Sequence, residues 1–170
     1  MKNYSLKDFF PIIIMYLIII IFVIIKQILL PAIEIYSFIQ SSMLDFMGFF
    51  FIIFGGFKII KLGNFAEAYA MYDLVAKRSR SYALLYPFIE VSLGALYLLR
   101  WQLSFVNLVT LILMLISAAG VAHELLQGKK IMCACLGTVF KISMTYVTLF
   151  EDLLMILMAA IMIISALFLD

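Results

Sequence analysis

The sequence predicts an all-α protein: an integral membrane helical bundle of about five transmembrane helices with one interfacial amphipathic helix. Three observations predict it. Of 170 residues, 67% are hydrophobic and 13% charged, about half the charge that coats a water-soluble domain. The mean hydropathy is +1.21. The apolar residues also fall in runs of about the 20 positions that cross a bilayer as a helix. A chain of this length holds at most about six or seven such runs and no separate soluble domain. A net charge of +2, from twelve Lys and Arg against ten Asp and Glu, excludes a nucleic-acid binder and argues against long-range steering of anions.

The first run, Pro11 to Leu30, contains Ile12-Ile13-Ile14 and Ile18 to Ile21 and is interrupted only by Lys26 and Gln27 before Pro31. No Ala-x-Ala cleavage pattern follows it, so it reads as a retained span rather than a secretory signal. Pro31 to Ser41 is too short and polar to cross and reads as an exit loop or interfacial turn. Further spans run from Ser42 to about Leu62, Tyr82 to Leu99, Ser104 to Leu126 and Thr148 to Leu169. No repeat of 20 to 50 residues is visible. Gly55-Gly56, Gly94-Ala95 and Ser117-Ala118-Ala119-Gly120 offer small surfaces on which helices can approach closely.

Charge bias orients the bundle, because Lys and Arg in short loops stay cytoplasmic. With the amino terminus inside, Lys2, Lys7, Lys58, Lys61, Lys77, Arg78, Arg80, Lys129, Lys130 and Lys141 lie on that side, ten of the twelve, and only Lys26 and Arg100 lie outside. The expected location is the bacterial cytoplasmic (inner) membrane, with the carboxyl terminus outside. Gly63 to Arg80 reads as an amphipathic helix in the membrane surface, its tyrosines at headgroup level. Asn64 and Glu67 form a plausible capping pair, and Asp73 and Lys77 stand at i, i+4. Thr148 and Glu151 repeat the capping pattern at the last span.

The foremost chemical candidate is Cys133-Ala134-Cys135, preceded by Met132. Two cysteines scattered at random would fall this close with a chance of about 2%. The pair admits three readings. It can form a small, strained and hence easily reduced disulfide, suited to thiol/disulfide exchange. It can bind Cu(I) or Hg(II) through thiolates, with Met132, Met144 or His123 as further ligands. It can also be two inert small hydrophobes. Lys129, Lys130 and Lys141 favour the thiolate form, and the positive-inside rule also accounts for them.

Glu90 is the second candidate, midway along the third span, where an ionised carboxylate costs several kcal/mol unless paired or watered. Pro87, three residues earlier, removes a backbone donor and can kink the helix. Tyr86, Lys58 and Tyr97 are its candidate partners, and the bland alternative is a protonated Glu90 bonded to a neighbouring helix. His123, the sole histidine, reads foremost as an interfacial helix-end residue. Asp45 and Glu151-Asp152 are explained by nearness to water. Glu151, Met155, Met158 and Met162 share one helix face; it can serve as a thioether ladder, although core packing is the stronger reading.

Several segments together resemble the MauE-like branch of the MauE/DoxX membrane proteins: Gly55 to Leu62, Phe65 to Asp73, Tyr86-Pro87-Phe88-Ile89-Glu90 and Cys133-Ala134-Cys135-Leu136-Gly137-Thr138. The likeness covers about Met43 to Ile164. It implies a four-helix membrane domain, residues 42–170, preceded by an added amino-terminal helix and exit loop, residues 1–41. It further implies a redox-associated protein that supports maturation of a partner, as in methylamine utilisation, with Cys133 and Cys135 as exchanging thiols and Glu90 as a buried proton or substrate group. A thioredoxin-like or dehydrogenase protein is the implied partner, with a quinone as a candidate electron carrier. The alternatives are a soft-metal transporter working with a metal chaperone, in which Cys133, Cys135, Met132 and His123 hold Cu(I), and a membrane scaffold without chemistry. Where relatives tend to carry a proline after the cysteines, this chain has Lys141-Ile142-Ser143. Charge bias puts the thiols on the reducing side, whereas assisting periplasmic disulfides calls for access from the oxidising side.

Overall fold

A computed structural model describes residues 6–30, 35–127 and 145–169. They form α1 (Leu6–Leu29), α2 (Ile35–Ile60), α3 (Leu62–Tyr69), α4 (Arg80–Leu98), α5 (Leu103–Leu126) and α6 (Thr145–Leu169), with no strand among the described residues. All but the short α3 are long and apolar enough to cross a membrane: Ile12–Leu29, Phe38–Ile60, Arg80–Leu98, Leu103–Leu126 and Val147–Phe168. The all-α bundle of five spans is therefore as expected. Its boundaries differ in one place: α2 begins at Ile35, so most of the stretch read as an exit loop is helical.

The bundle is built from two closely packed pairs, α2 with α4 and α5 with α6, with α1 against α2 and α3 tucked onto α4. Glycine makes the first pair possible. A Cβ on Gly94 would stand 2.8 Å from the Gly48 carbonyl and 3.0 Å from the Ile52 nitrogen, contacts with backbone that no side-chain rotation relieves. Gly55 packs near the Pro87 carbonyl, whereas Gly56 faces open space. On α5, Gly120 lets the backbone of Tyr72 approach so closely that any Cβ would collide with it.

α4 begins where Ser79 Oγ accepts a hydrogen bond from the Tyr82 N–H at 3.3 Å, an N-cap. It contains Pro87, which lacks the N–H that would bond one turn back. It ends in a tight reversal, with Arg100 (φ 56°) and Gln102 (φ 48°) in the left-handed region. Such conformations cost on the order of 1–3 kcal/mol each and persist where other contacts over-determine them. Here the contacts belong to Arg100. Its guanidinium donates to Asp45 Oδ1 at 2.6 Å and Ser41 Oγ at 2.9 Å, and Lys26 Nζ reaches the same Asp45 oxygen at 2.5 Å. Asp45, expected to lie near water, is fully buried beneath those two cations. Desolvation pulls the Arg100 pKa down while Asp45 supports its charge.

The segment from Gly63 to Arg80 is not one surface helix. α3 stops at Tyr69 and turns follow. Asp73 supplies the reason: its Oδ1 accepts from the backbone N–H groups of Val75 (2.9 Å) and Ala76 (2.7 Å), a local turn that competes with helix. Asp73 does not pair with Lys77, which instead holds Glu124 of α5 at 2.6 Å. The cap residue of α3 is Lys61, without a side-chain cap bond, so Asn64 and Glu67 do not form the expected pair. Tyr69 and Tyr72 are buried in the bundle and do not lie on its outer surface.

Candidate functional site: a buried charged cavity

Lys58 stands in the last turn of α2 and Glu90 halfway along α4, and the close approach of these helices brings them together. Lys58 Nζ lies 2.5 Å from Glu90 Oε1 and 2.7 Å from Oε2, with Lys58 8% and Glu90 2% exposed. Of the three partners expected for Glu90, Lys58 is therefore observed, and Tyr86 lines the same cavity. Tyr97 does not: its hydroxyl points to Asn107 Oδ1 (2.9 Å) and Thr110 Oγ1 (3.0 Å) of α5. The ammonium also sits over the rings of Tyr86 (5.1 Å) and Phe65 (5.5 Å), an aromatic setting that favours a desolvated cation.

The pair faces a cavity of about 20 Å3 between the two helix pairs, enough for about one water molecule. From the far side α5 contributes Ser117 and α6 contributes Thr148, Glu151 and Asp152. Glu151 and Asp152, expected near water, are 4% and 7% exposed. The physical reason is that α6 starts at Thr145, so Thr148 and Glu151 are not a capping pair but lie on an inward helix face. Glu151 accepts a long 3.4 Å bond from the Tyr16 hydroxyl of α1. Asp152 shares the cavity with Ser117, and its Oδ2 is buried without a hydrogen-bond partner among the described residues.

α3 and the following turn close the site with Tyr69 and Tyr72. Tyr69 packs against Tyr86 with ring centres 4.5 Å apart and planes tilted by 40°, and it donates to Asp73 Oδ2 at 2.9 Å. Burial first, then the neighbouring carboxylates and phenols, pushes the pKa of Tyr69 and Tyr72 well above the ordinary tyrosine value, so both stay neutral donors.

Cys133, Cys135 and Met132, with the lysines around them, lie outside the described residues. His123 is described: it is exposed on α5 with a ring nitrogen 2.8 Å from the Gln127 amide nitrogen. Met155 and Met162 are buried in the core and Met158 is half-buried. Among the described residues no three His, Cys, Asp or Glu side chains are grouped to hold a metal ion. The burial of Glu151 and Asp152 at the cavity is the main departure from what the sequence led one to expect. The signal was present, because Thr148, Glu151, Asp152, Met155, Ala159 and Met162 follow the 3, 4, 7 spacing of one buried face.

These features define a class: a multi-pass, all-helical membrane protein with a buried ion-paired cavity at the junction of its helix pairs. The family is narrower. The sequence model described as Methylamine utilisation protein MauE matches residues 7–165, nearly the whole chain, and the chain belongs to the MauE family. No curated protein and no solved structure matches it.

Proposed function

We propose that this protein is a MauE-type redox-associated membrane protein. Cys133 and Cys135 exchange a disulfide with a thioredoxin-like or dehydrogenase partner during that partner's maturation, and Glu90 is the buried group that takes up and returns the accompanying protons. The amino terminus and the thiol segment face the cytoplasm of a bacterial inner membrane in this reading. The observation that carries it is the Lys58–Glu90 pair, two charges set together inside the bundle beside a water-sized cavity. Packing alone does not call for it, because a buried ion pair contributes little net stability over apolar residues of the same volume.

The chemistry needs such a group. When a dithiol reduces a partner's disulfide, one thiolate attacks a partner sulfur and expels the other partner thiolate, the second thiolate attacks the resulting mixed disulfide and expels the remaining partner sulfur, and the partner leaves with two thiols. Two electrons pass to the partner, and the two protons shed by Cys133 and Cys135 must be carried. The thiol segment, residues 128–144, joins α5 to α6, the two helices that supply Ser117, Thr148, Glu151 and Asp152 to the cavity. Support comes from family membership and from this connectivity.

The test is to trap thiols by alkylation in cells carrying wild type or Cys133→Ser. The proposal expects a redox state that changes with partner expression in wild type, and loss of in vivo function in the variant. Full function in Cys133→Ser refutes it. In Glu90→Gln the thiols should still form, and their exchange should slow and lose its pH dependence.

A further inference from the structure

The second acidic pair, Glu151 and Asp152, has a role of its own. Lys58 is already committed to both oxygens of Glu90 at 2.5 and 2.7 Å, which leaves that pair neutral. The remaining two carboxylates are adjacent on α6 and more than nine-tenths buried. What faces them is Tyr16 from α1, Lys58 from α2, Tyr69 and Tyr72 from α3 and its turn, Tyr86 and Glu90 from α4, and Ser117 from α5. Asp73, behind Tyr69, is occupied by that hydroxyl and two backbone N–H groups. Among the described residues Lys58 is therefore the lone cation bordering the cavity, against three carboxylates.

Two further ionised carboxylates in a membrane interior would each cost several kcal/mol, with no second counter-ion among the described residues to offset it. Something must neutralise them. The space is about 20 Å3, room for a single water, and no trio of metal-ligating side chains converges there among the described residues. Asp152 lines this space, and its Oδ2 is buried without a partner among the described residues; an acceptor buried without a donor marks where a donor belongs.

We propose that Glu151 and Asp152 form a proton-binding site around one bound water, distinct from the Lys58–Glu90 pair. The water donates to Asp152 Oδ2, and the pair shares at least one bound proton near neutral pH. Thr148, one turn toward the start of α6, is the cavity-lining hydroxyl nearest in sequence to the end where residues 128–144 join, and protons exchange on that side. The proposal stands independently of the thiol reading, since it concerns groups whose protonation is measurable without a partner.

The experiment is infrared difference spectroscopy on the full-length protein in lipid nanodiscs, stepping from neutral to alkaline pH. Wild type should show the C=O stretch of protonated carboxylic acid near neutrality, lost reversibly at higher pH. That band should shrink in Glu151→Gln and in Asp152→Asn and persist in Glu90→Gln. Because Gln and Asn are uncharged and nearly isosteric, both α6 variants should unfold at or above the wild-type temperature. A wild-type spectrum with no protonated-acid band overturns the proposal, as does a band removed by Glu90→Gln alone. Exchanging potassium for sodium or lithium should leave the band unchanged; a band that disappears with one of these ions identifies an inorganic cation and overturns the proton assignment. Cys133→Ser should not alter the spectrum, so failure of the thiol reading and failure of this one are separable.

Discussion

Lys58 and Glu90 illustrate how a single side chain's worth depends on its partner. Removing only the ammonium, as in Lys58→Met, leaves Glu90 buried with its counter-ion gone, and should destabilise the protein by about 3–5 kcal/mol. Removing both charges in Lys58→Met with Glu90→Gln should recover most of that loss, because the desolvation cost of the ion pair disappears with its attraction. Thermal unfolding in detergent measures both; a double variant as unstable as the single would show that the charges do not act as a pair. Sequence reasoning found this pair because a carboxylate midway along a span is conspicuous. It missed Asp45 and Asp152 because each sits near the end of an apolar run, where water and burial look alike without the neighbouring helices.

The phenols make a second prediction at the same scale. Tyr69 and Tyr72 keep their protons in the folded state well above the ordinary value of 10.0, chiefly because they are buried. The unfolded chain loses those protons near the ordinary value, so above it the folded state binds more protons than the unfolded one. Stability contributed by the neutral phenols is full below about pH 10 and falls as pH rises beyond it. Tyr69→Phe, which keeps the ring against Tyr86 but gives up the bond to Asp73, should show a shallower alkaline loss in unfolding temperature than wild type.

Among the elements, the α2–α4 contact is the most demanding. Gly94→Ala puts a methyl against the Gly48 carbonyl and the Ile52 nitrogen, and the helices must separate to admit it, at a cost of roughly 1–3 kcal/mol. Gly56→Ala, which meets nothing within 4 Å, should be neutral or slightly stabilising and serves as the control. Equal effects of the two substitutions would contradict the packing described. Gly94 was legible in the sequence as a small surface; Gly48 was not, because it stands alone among Phe46, Met47, Phe49 and Phe50 with no second small residue beside it. The α3 region failed for another reason. Its apolar spacing continues past Tyr69 at helical period, and only the Asp73 turn, a tertiary choice stabilised by Gly120 and Tyr69, breaks the helix there.

At the scale of the molecule, the five spans were legible because hydropathy over about 20 residues is a strong signal. The meeting of the two helix pairs around a polar cavity was not, since it depends on which face of each helix turns inward. The proposed orientation makes the last prediction. An alkaline phosphatase fused after Asp170 should be active, and one inserted between Lys130 and Ile131 should not, because the enzyme folds only outside the reducing cytoplasm. The opposite pattern would place the thiols on the oxidising side.

α1 shows how loosely a bilayer constrains some sequence. Only 22% of its span is buried, with Ile12, Met15, Ile19 and Gln27 facing inward and a row of isoleucines and leucines turned out to lipid. It is fastened at two points, Tyr16 to Glu151 at one level and Lys26 with Gln27 to Asp45 and Ser41 at another. Its outer residues answer to the solvent alone, and one hydrocarbon is as good as another there. Evolution is free to redraft most of this helix letter by letter, provided those few anchoring positions stay, so homologues can diverge widely along it while retaining the same seat in the bundle.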